Sequence, residues 1–147
     1  MSEHKIKLSW QRSTPDFAYE KYDRTHKIET MGGTVVEASS AVEYLGKPEY
    51  MNPEEMLVAA ISSCHMLSFL AVASKSRLTL DSYEDQAEGV LEKGPDGKIW
   101  ITRVVLRPRI TFQGEVTPEK ISQMHDKAHH ICFIANSVKT QVTVESR

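Results

Sequence analysis

The feature that most constrains this chain is an uncharged run of 19 residues, positions 56–74, of which 14 are apolar. A transmembrane helix needs about 20 residues of this kind, so the run has the length of a membrane span. Four serines and a histidine interrupt it, however, and its alanines suit close packing between helices inside a protein. We therefore predict a central, almost completely buried helix, and no contact with a membrane.

The chain has 147 residues, about the size of one ordinary domain. Hydrophobic residues make up 40% and charged residues 26%, which is typical of a globular protein. The formal net charge of −2 and the lack of a long basic run argue against nucleic acid as a partner. The first ten residues do not resemble a secretory signal, so we expect a reducing, cytoplasmic compartment.

Short strands are predicted before the apolar helix. Alternation or turn signals mark four segments there, at residues 5–10, 18–22, 26–31 and 34–37. The glycine pair Gly32-Gly33 between the last two predicts a hairpin. We expect two or three antiparallel strands, followed by a loop over residues 39–51.

Two segments carry strong helix-start signals. In the first, Asn52 can cap, Pro53 suits the first helical position, and Glu55 completes a capping-box pattern. This predicts a helix from Pro53 to about Ser76. The second start, at Thr117-Pro118, predicts a helix reaching about residue 135. Its apolar residues recur at helical spacing and are Ile121, Met124, Ala128 and Ile131.

The remaining segments complete an α+β order. Residues 78–92 and 98–112 alternate on either side of a dense turn at residues 94–97, which predicts a long hairpin. Residues 138–144 predict a closing strand. No repeated strand-helix-strand unit occurs, so an α+β fold is favoured over a doubly wound parallel sheet. One small sheet and one other helix cover such an apolar helix poorly, so we expect a homodimer.

Both cysteines fall inside predicted helices, Cys64 in the first and Cys132 in the second. A reducing compartment disfavours a permanent disulfide. If the two helices pack together, the thiols could form a reversible disulfide, which needs Cα atoms about 5.5 Å apart. The alternative is that both are buried cysteines acting as small hydrophobic residues.

Histidines near the cysteines raise a second alternative, a metal site. His65 follows Cys64, and the others are His125, His129 and His130. Spacings of three and four residues can place such ligands on one side of a helix. No CxxC or HExxH pattern accompanies them, so the sequence favours histidines without a ligand role and predicts no metal.

Two of these segments resemble the OsmC/Ohr family, the osmotically inducible and organic hydroperoxide resistance proteins. Residues 52–64, NPEEMLVAAISSC, are similar to the family's segment at its first cysteine, and residues 128–132, AHHIC, to that at its second. The order of elements also matches, so the resemblance covers nearly the whole chain. It implies a single α+β domain over residues 1–147, with antiparallel sheets around two central helices in an intertwined homodimer.

The resemblance also implies a thiol-dependent peroxidase with its site at the dimer interface. Cys64 would be the peroxidatic cysteine and Cys132 the resolving one. Glu54 occupies the position of the family's active-site glutamate. Arg24 is the best match to its active-site arginine, but the glycine that commonly precedes that arginine is missing, so Arg12 remains an alternative. The residues that follow each cysteine point to an OsmC-like branch rather than a typical Ohr protein.

The implied reaction reduces organic hydroperoxides, with hydrogen peroxide as a second candidate substrate. The sulfenic acid formed on Cys64 condenses with Cys132 to a disulfide, which a dithiol reductant reopens. No flavin, haem or metal is required as a cofactor. Ten residues of helix separate Glu54 from Cys64 by about 15 Å, so Glu54 is expected to serve the other subunit's thiol. The alternative function is a non-catalytic dimer of the same fold that binds a hydrophobic ligand or senses redox state.

Overall fold

A computed structural model describes residues 1–146, which form eight strands and two α-helices. In chain order these are β1 (Ile6–Ser9), β2 (His26–Thr30), β3 (Val35–Ala38), α1 (Pro53–Lys75), β4 (Leu80–Asp85), β5 (Glu88–Lys93), β6 (Ile99–Leu106), β7 (Pro108–Phe112), α2 (Pro118–Ile131) and β8 (Gln141–Val144). The predicted α+β class is confirmed. The chain divides into two compact units, Met1–Met56 and a second that begins at Leu57. A single domain over residues 1–147 stays a prediction.

The first unit contains an antiparallel sheet in the order β1-β2-β3. Its predicted hairpin is confirmed, with Ile28 opposite Val36 in the β2–β3 pair. At the turn, Gly33 has a φ of 84°, which glycine adopts without steric cost. The Thr30 N–H donates to the Thr34 carbonyl and closes the turn.

The strand predicted at residues 18–22 is wrong, because these residues form a turn. The carboxylate of Asp16 accepts the N–H of Ala18. The N–H groups of Lys21 and Tyr22 then both donate to the Ala18 carbonyl. These local hydrogen bonds replace those that a neighbouring strand would have to supply.

The second unit holds two sheets. β4 pairs with β7, and β5 pairs with β6, so the long hairpin predicted between residues 78 and 112 is confirmed. It is split between a two-stranded sheet, β4-β7, and a three-stranded sheet, β5-β6-β8. β8 lies parallel to β6, with Val142 opposite Val104. The sequence predicted this last strand but not its partner.

Both helix starts are as predicted. At α1, the Asn52 side chain accepts the N–H of Glu55 at 2.8 Å, and the Glu55 carboxylate accepts the N–H of Asn52 at 3.0 Å. This is a complete capping box. At α2, the Thr117 hydroxyl accepts the N–H of Lys120. The caps satisfy N–H groups that have no partner within the helix.

α2 ends at Ile131, four residues before the predicted end at Ala135. Cys132 has a ψ of 110°, an extended conformation, and its N–H donates to the carbonyl of His129. A short 3-10 turn, Ala135–Ser137, follows. The sequence predicted Cys132 in the interior of this helix. The structure instead places it just after the last helical residue.

From Ile61 onward, α1 buries every fourth residue: Ile61, His65, Phe69 and Ala73. Ile61 packs in one cluster with residues of β6, and Phe69 and Ala73 pack in another with α2. Most of the remaining surface is open in the single chain, since only 22% of the helix's most apolar window is buried. The almost complete burial predicted for this helix is therefore wrong for one chain alone.

Length and composition would let α1 span a membrane, but those criteria are weak evidence, and no membrane insertion is indicated.

Candidate functional site

The two thiols, 68 positions apart in the sequence, meet in the second unit. Cys64 lies on α1, and Cys132 immediately follows α2. The Cys64 side chain is a close neighbour of the Cys132 sulfur, and both are free thiols. Close approach of two thiols is what formation of a reversible disulfide requires.

The environments of the two thiols differ. Cys132 is 0% exposed, whereas Cys64 is only partly buried. Burial raises the pKa of the Cys132 thiol, and the neighbouring Cys64 side chain raises it further. The N–H of Ala135 donates to the Cys132 sulfur at 3.4 Å and acts in the opposite direction, since it favours the thiolate. The Cys132 thiol is therefore protonated at neutral pH.

Next to this site, two buried histidines form a pair that joins α1 to α2. Nε2 of His65 lies 3.0 Å from Nδ1 of His125, and the two rings stack with their centroids 5.3 Å apart. The ring of Phe69 packs 4.4 Å from that of His125. Burial lowers the pKa of each histidine to about 4, so both imidazoles are neutral at pH 7.

The histidines do not assemble a metal site with the thiols. Among residues 1–146, no three His, Cys, Asp or Glu side chains are placed to hold one metal ion. His125 is instead engaged with His65, while His129 and His130 are exposed on α2. No local sequence pattern predicts the His65–His125 pair, because its members come from different helices.

A second polar contact that the sequence analysis missed holds α1 to the sheets. The carboxylate of Asp85, at the end of β4, accepts hydrogen bonds from the Ser62 hydroxyl and from the N–H of Arg107 at 2.7 Å. Ser62 is two residues before Cys64. This contact therefore helps to fix the part of α1 that carries the first thiol.

Arg24 lies in the first unit, and its guanidinium is held by backbone and aromatic groups. It donates to the carbonyls of Tyr22 and Tyr19 at 2.9 and 2.6 Å. It also lies over the rings of both tyrosines, 4.0 Å from the Tyr22 centroid. Within residues 1–146 it forms no ion pair with Glu54. Within one chain the cation is therefore oriented by carbonyl groups and aromatic rings rather than by a carboxylate.

Glu54 and Arg12, the other charged candidates, also belong to the first unit. Glu54 is half-buried in the first turn of α1, where a carboxylate interacts favourably with the helix dipole. Arg12 is exposed and donates to the carbonyls of Thr14 and Pro15 at 2.7 and 2.8 Å. Of the two arginines, only Arg24 is partly buried.

An apolar cavity of about 550 Å³ opens beside Arg24. Aromatic and aliphatic side chains form most of its wall, among them Leu8, Trp10, Phe17, Tyr19, Tyr22 and Tyr44. Arg24 and His26 are among the polar side chains that could orient a ligand's charged or hydrogen-bonding group there. A cavity of this size and character suits the organic body of a small molecule.

Comparison with known proteins gives consistent matches. The family model described as OsmC-like protein matches residues 46–147. A solved OsmC-like protein of unknown function from Vibrio cholerae is 42% identical, with a TM-score of 0.93 and 100% of both chains covered. The uncharacterized protein YmaD of Bacillus subtilis is 22% identical over 117 residues, covering 78% of this chain and 77% of YmaD. The organic hydroperoxide resistance protein OhrB of B. subtilis shares the fold at 18% identity, with a TM-score of 0.69 and 99% and 98% coverage.

Proposed function

Because this chain belongs to the OsmC-like protein family, we propose that it is a thiol-dependent peroxidase that reduces organic hydroperoxides. The observation that carries the proposal is the contact between Cys64 and Cys132. A nucleophilic thiol with a second thiol in reach is what a two-step reduction through a disulfide requires. The fold shared with a protein named for organic hydroperoxide resistance supports the same substrate class.

The reaction begins when the Cys64 thiolate attacks one peroxide oxygen. A sulfur–oxygen bond forms as the oxygen–oxygen bond breaks, and the departing alkoxide takes a proton and leaves as the alcohol. Cys64 is then a sulfenic acid. The sulfur of Cys132 attacks it, a disulfide forms, and the hydroxyl group leaves as water with the Cys132 proton. A dithiol reductant supplies two electrons, becomes a disulfide itself and restores both thiols.

The different environments support this assignment of roles. The first nucleophile must meet a substrate from outside, and Cys64 is the less buried thiol. Cys132 is closed off and protonated, so it is suited to react only with a partner already in contact. Neither step requires a flavin, haem or metal ion.

We assign Arg24 to the stabilisation of charge on the thiolate and the peroxide oxygens, and Glu54 to the positioning of that arginine in the partner subunit. Both assignments follow the family pattern. The fixed guanidinium and the apolar cavity beside it support the role of Arg24. A preset cation stabilises developing charge without reorganising first.

We also propose that the protein is a homodimer built on α1. The exposed surface of this helix carries a stripe of small and apolar residues: Ala59, Ala60, Ser63, Leu67, Leu70, Ala71 and Ser74. Leu67 is 59% and Leu70 37% exposed in the single chain. A second copy would cover this stripe, as obligate dimers cover their apolar interfaces. Reversible thiol chemistry also suits a reducing compartment, so we place the protein in the cytoplasm.

The direct test is mass spectrometry after addition of one equivalent of an alkyl hydroperoxide to the reduced protein. We expect an intramolecular disulfide between Cys64 and Cys132. Cys64→Ser should abolish peroxide consumption, whereas Cys132→Ser should complete one turnover and retain a sulfenic or over-oxidised Cys64. Peroxide consumption by Cys64→Ser equal to that of the parent would remove the enzyme proposal.

The apolar cavity in the first unit favours a second candidate, a non-catalytic dimer that binds a hydrophobic molecule. The same experiment separates the two. Two results together would favour the binding protein. The thiols would stay reduced after addition of hydroperoxide, and an apolar fluorescent probe would bind saturably and more weakly to Tyr22→Ala. Stoichiometric disulfide formation would favour the peroxidase.

A further inference from the structure

We propose that the dithiol reductant attacks the sulfur of Cys64, so that Cys132 is the leaving group when the disulfide opens. This inference rests on the proposed peroxidase function, since that function supplies the disulfide. Two features of the site support the inference: Cys132 is completely buried, and a backbone N–H donates to its sulfur.

Access selects the sulfur that is attacked. In thiol–disulfide exchange the entering thiolate must reach one sulfur of the bond directly, so a closed sulfur reacts slowly. Cys132 is 0% exposed, whereas Cys64 is partly open. Association with a second copy can reduce the solvent exposure of a cysteine but cannot expose one that is already buried in a rigid site. Cys132 is therefore closed to an external thiol in the dimer as well.

The backbone around Cys132 is arranged to receive the charge of a leaving thiolate. The N–H of Ala135 points at its sulfur at 3.4 Å. That donor is held in place by the 3-10 turn, in which the Asn136 N–H donates to the Cys132 carbonyl at 3.0 Å. A preset N–H donor stabilises the sulfur as it departs.

Burial then discourages the reverse reaction. Because burial raises the pKa of the Cys132 thiol, the departing sulfur takes up a proton at neutral pH. A protonated thiol is a poor nucleophile towards a disulfide, so renewed attack of Cys132 on the mixed disulfide is slow. Its attack on the sulfenic acid differs, because the departing hydroxyl group takes the thiol proton. If Cys64 were the leaving group instead, the mixed disulfide would lie on the closed sulfur, where the second thiol of the reductant could not reach it.

The proposed sequence balances in atoms and electrons. One thiolate of the reductant forms a sulfur–sulfur bond with Cys64 as the bond to Cys132 breaks, and Cys132 leaves with the electron pair and gains a proton. The second thiolate of the reductant attacks the reductant sulfur of the mixed disulfide. Cys64 is released as a thiolate, and the dithiol becomes an internal disulfide after giving up two electrons.

The experiment maps which cysteine carries the mixed disulfide. The full-length protein is oxidised with diamide, a general thiol oxidant, so that the disulfide does not depend on peroxidase activity. A short pulse of 2-mercaptoethanol is quenched with iodoacetamide, and both cysteine peptides are quantified by mass spectrometry. We expect mercaptoethanol on Cys64 and the carbamidomethyl group on Cys132, with a preference of ~10-fold or more. Adducts mainly on Cys132, or spread evenly, would overturn the proposal.

The matched control repeats the pulse on the same oxidised protein in concentrated guanidinium chloride. The preference should disappear there, because unfolding exposes both sulfurs. A preference that persists in the unfolded chain would come from local sequence and would overturn the structural argument. Disulfide formation with diamide but not with alkyl hydroperoxide would defeat the proposed function, while the position of attack is still measured. Failure of diamide to close the disulfide would overturn both.

Discussion

Lowering the pH from 7 to 5 should destabilise this protein through the buried pair His65 and His125. They are only 1% and 5% exposed, and burial is the main reason that the pKa of each lies at about 4 in the folded chain. At His65 the neighbouring His125 and His129 also oppose protonation and Asp85 favours it. At His125 both Asp126 and Asp85 favour protonation, but burial is the largest effect at each histidine. In the unfolded chain the pKa of a histidine is about 6.5.

The sign follows from proton binding. Below pH 6.5 the unfolded chain takes up protons that the folded chain excludes, so the histidines' contribution to stability is complete above that pH and is lost as the pH falls towards 4. The loss approaches about 1.4 kcal/mol per pH unit for each histidine. Between pH 7 and 5 this amounts to about 2 kcal/mol for each, or about 4 kcal/mol for the pair. Since domains are commonly stable by about 5–15 kcal/mol, the effect is large.

The assay is urea unfolding followed by circular dichroism at pH 7 and pH 5 under reducing conditions. Replacing both histidines, as in His65→Leu with His125→Leu, should remove most of the difference in the free energy of unfolding between the two pH values. The matched control, His129→Gln with His130→Gln, changes two exposed histidines and should retain it. All three proteins carry the same carboxylates, so the comparison isolates the contribution of the histidines. An equal loss in the parent and the His65/His125 variant would refute the reasoning.

Two further predictions concern catalysis and assembly. Arg24→Ala should slow peroxide consumption at neutral pH by ~10-fold or more, since the loss of one preset charge-stabilising group has effects of this order or larger. Arg12→Ala should leave the rate unchanged. Steady-state kinetics that showed the reverse would transfer the role to Arg12. Leu67→Glu should weaken the dimer, measured as a lower molar mass in light scattering at micromolar concentration, while Leu67→Met should not. A monomeric parent protein would contradict the proposed interface.

The sequence by itself determined the starts of the helices and the position of the hairpins. Asn52, Pro53 and Glu55 form their cap within four residues of chain, and Gly33 supplies the turn conformation at one position. Such signals act over one or two turns, so they can be identified without knowing what lies nearby. The two cysteine motifs likewise identified the family, which the match over residues 46–147 confirms.

Predictions from local sequence patterns were wrong where a competing hydrogen bond determined the backbone conformation. The alternation at residues 18–22 favoured a strand, but the Asp16 carboxylate and the Ala18 carbonyl hold those residues in a turn. The sequence predicted that α2 continues to about residue 135, but the chain leaves the helix at Cys132, whose sulfur accepts an N–H from the next turn. Side chains that bond to nearby backbone can override propensity, and a pattern of residue types does not record them.

Only the tertiary structure decided which distant groups meet. The contact between Cys64 and Cys132, the stacking of His65 on His125, and the parallel pairing of β8 with β6 each join residues separated by 38 to 68 positions. Periodicity specifies which face of an element is apolar, but it does not specify which other element covers that face. The pKa values of the buried histidines and of Cys132 depend on that cover, because burial and neighbouring charges set them. For that reason the sequence identified candidate residues for the proposed chemistry, and only their packing determined the protonation state and access on which that chemistry would depend.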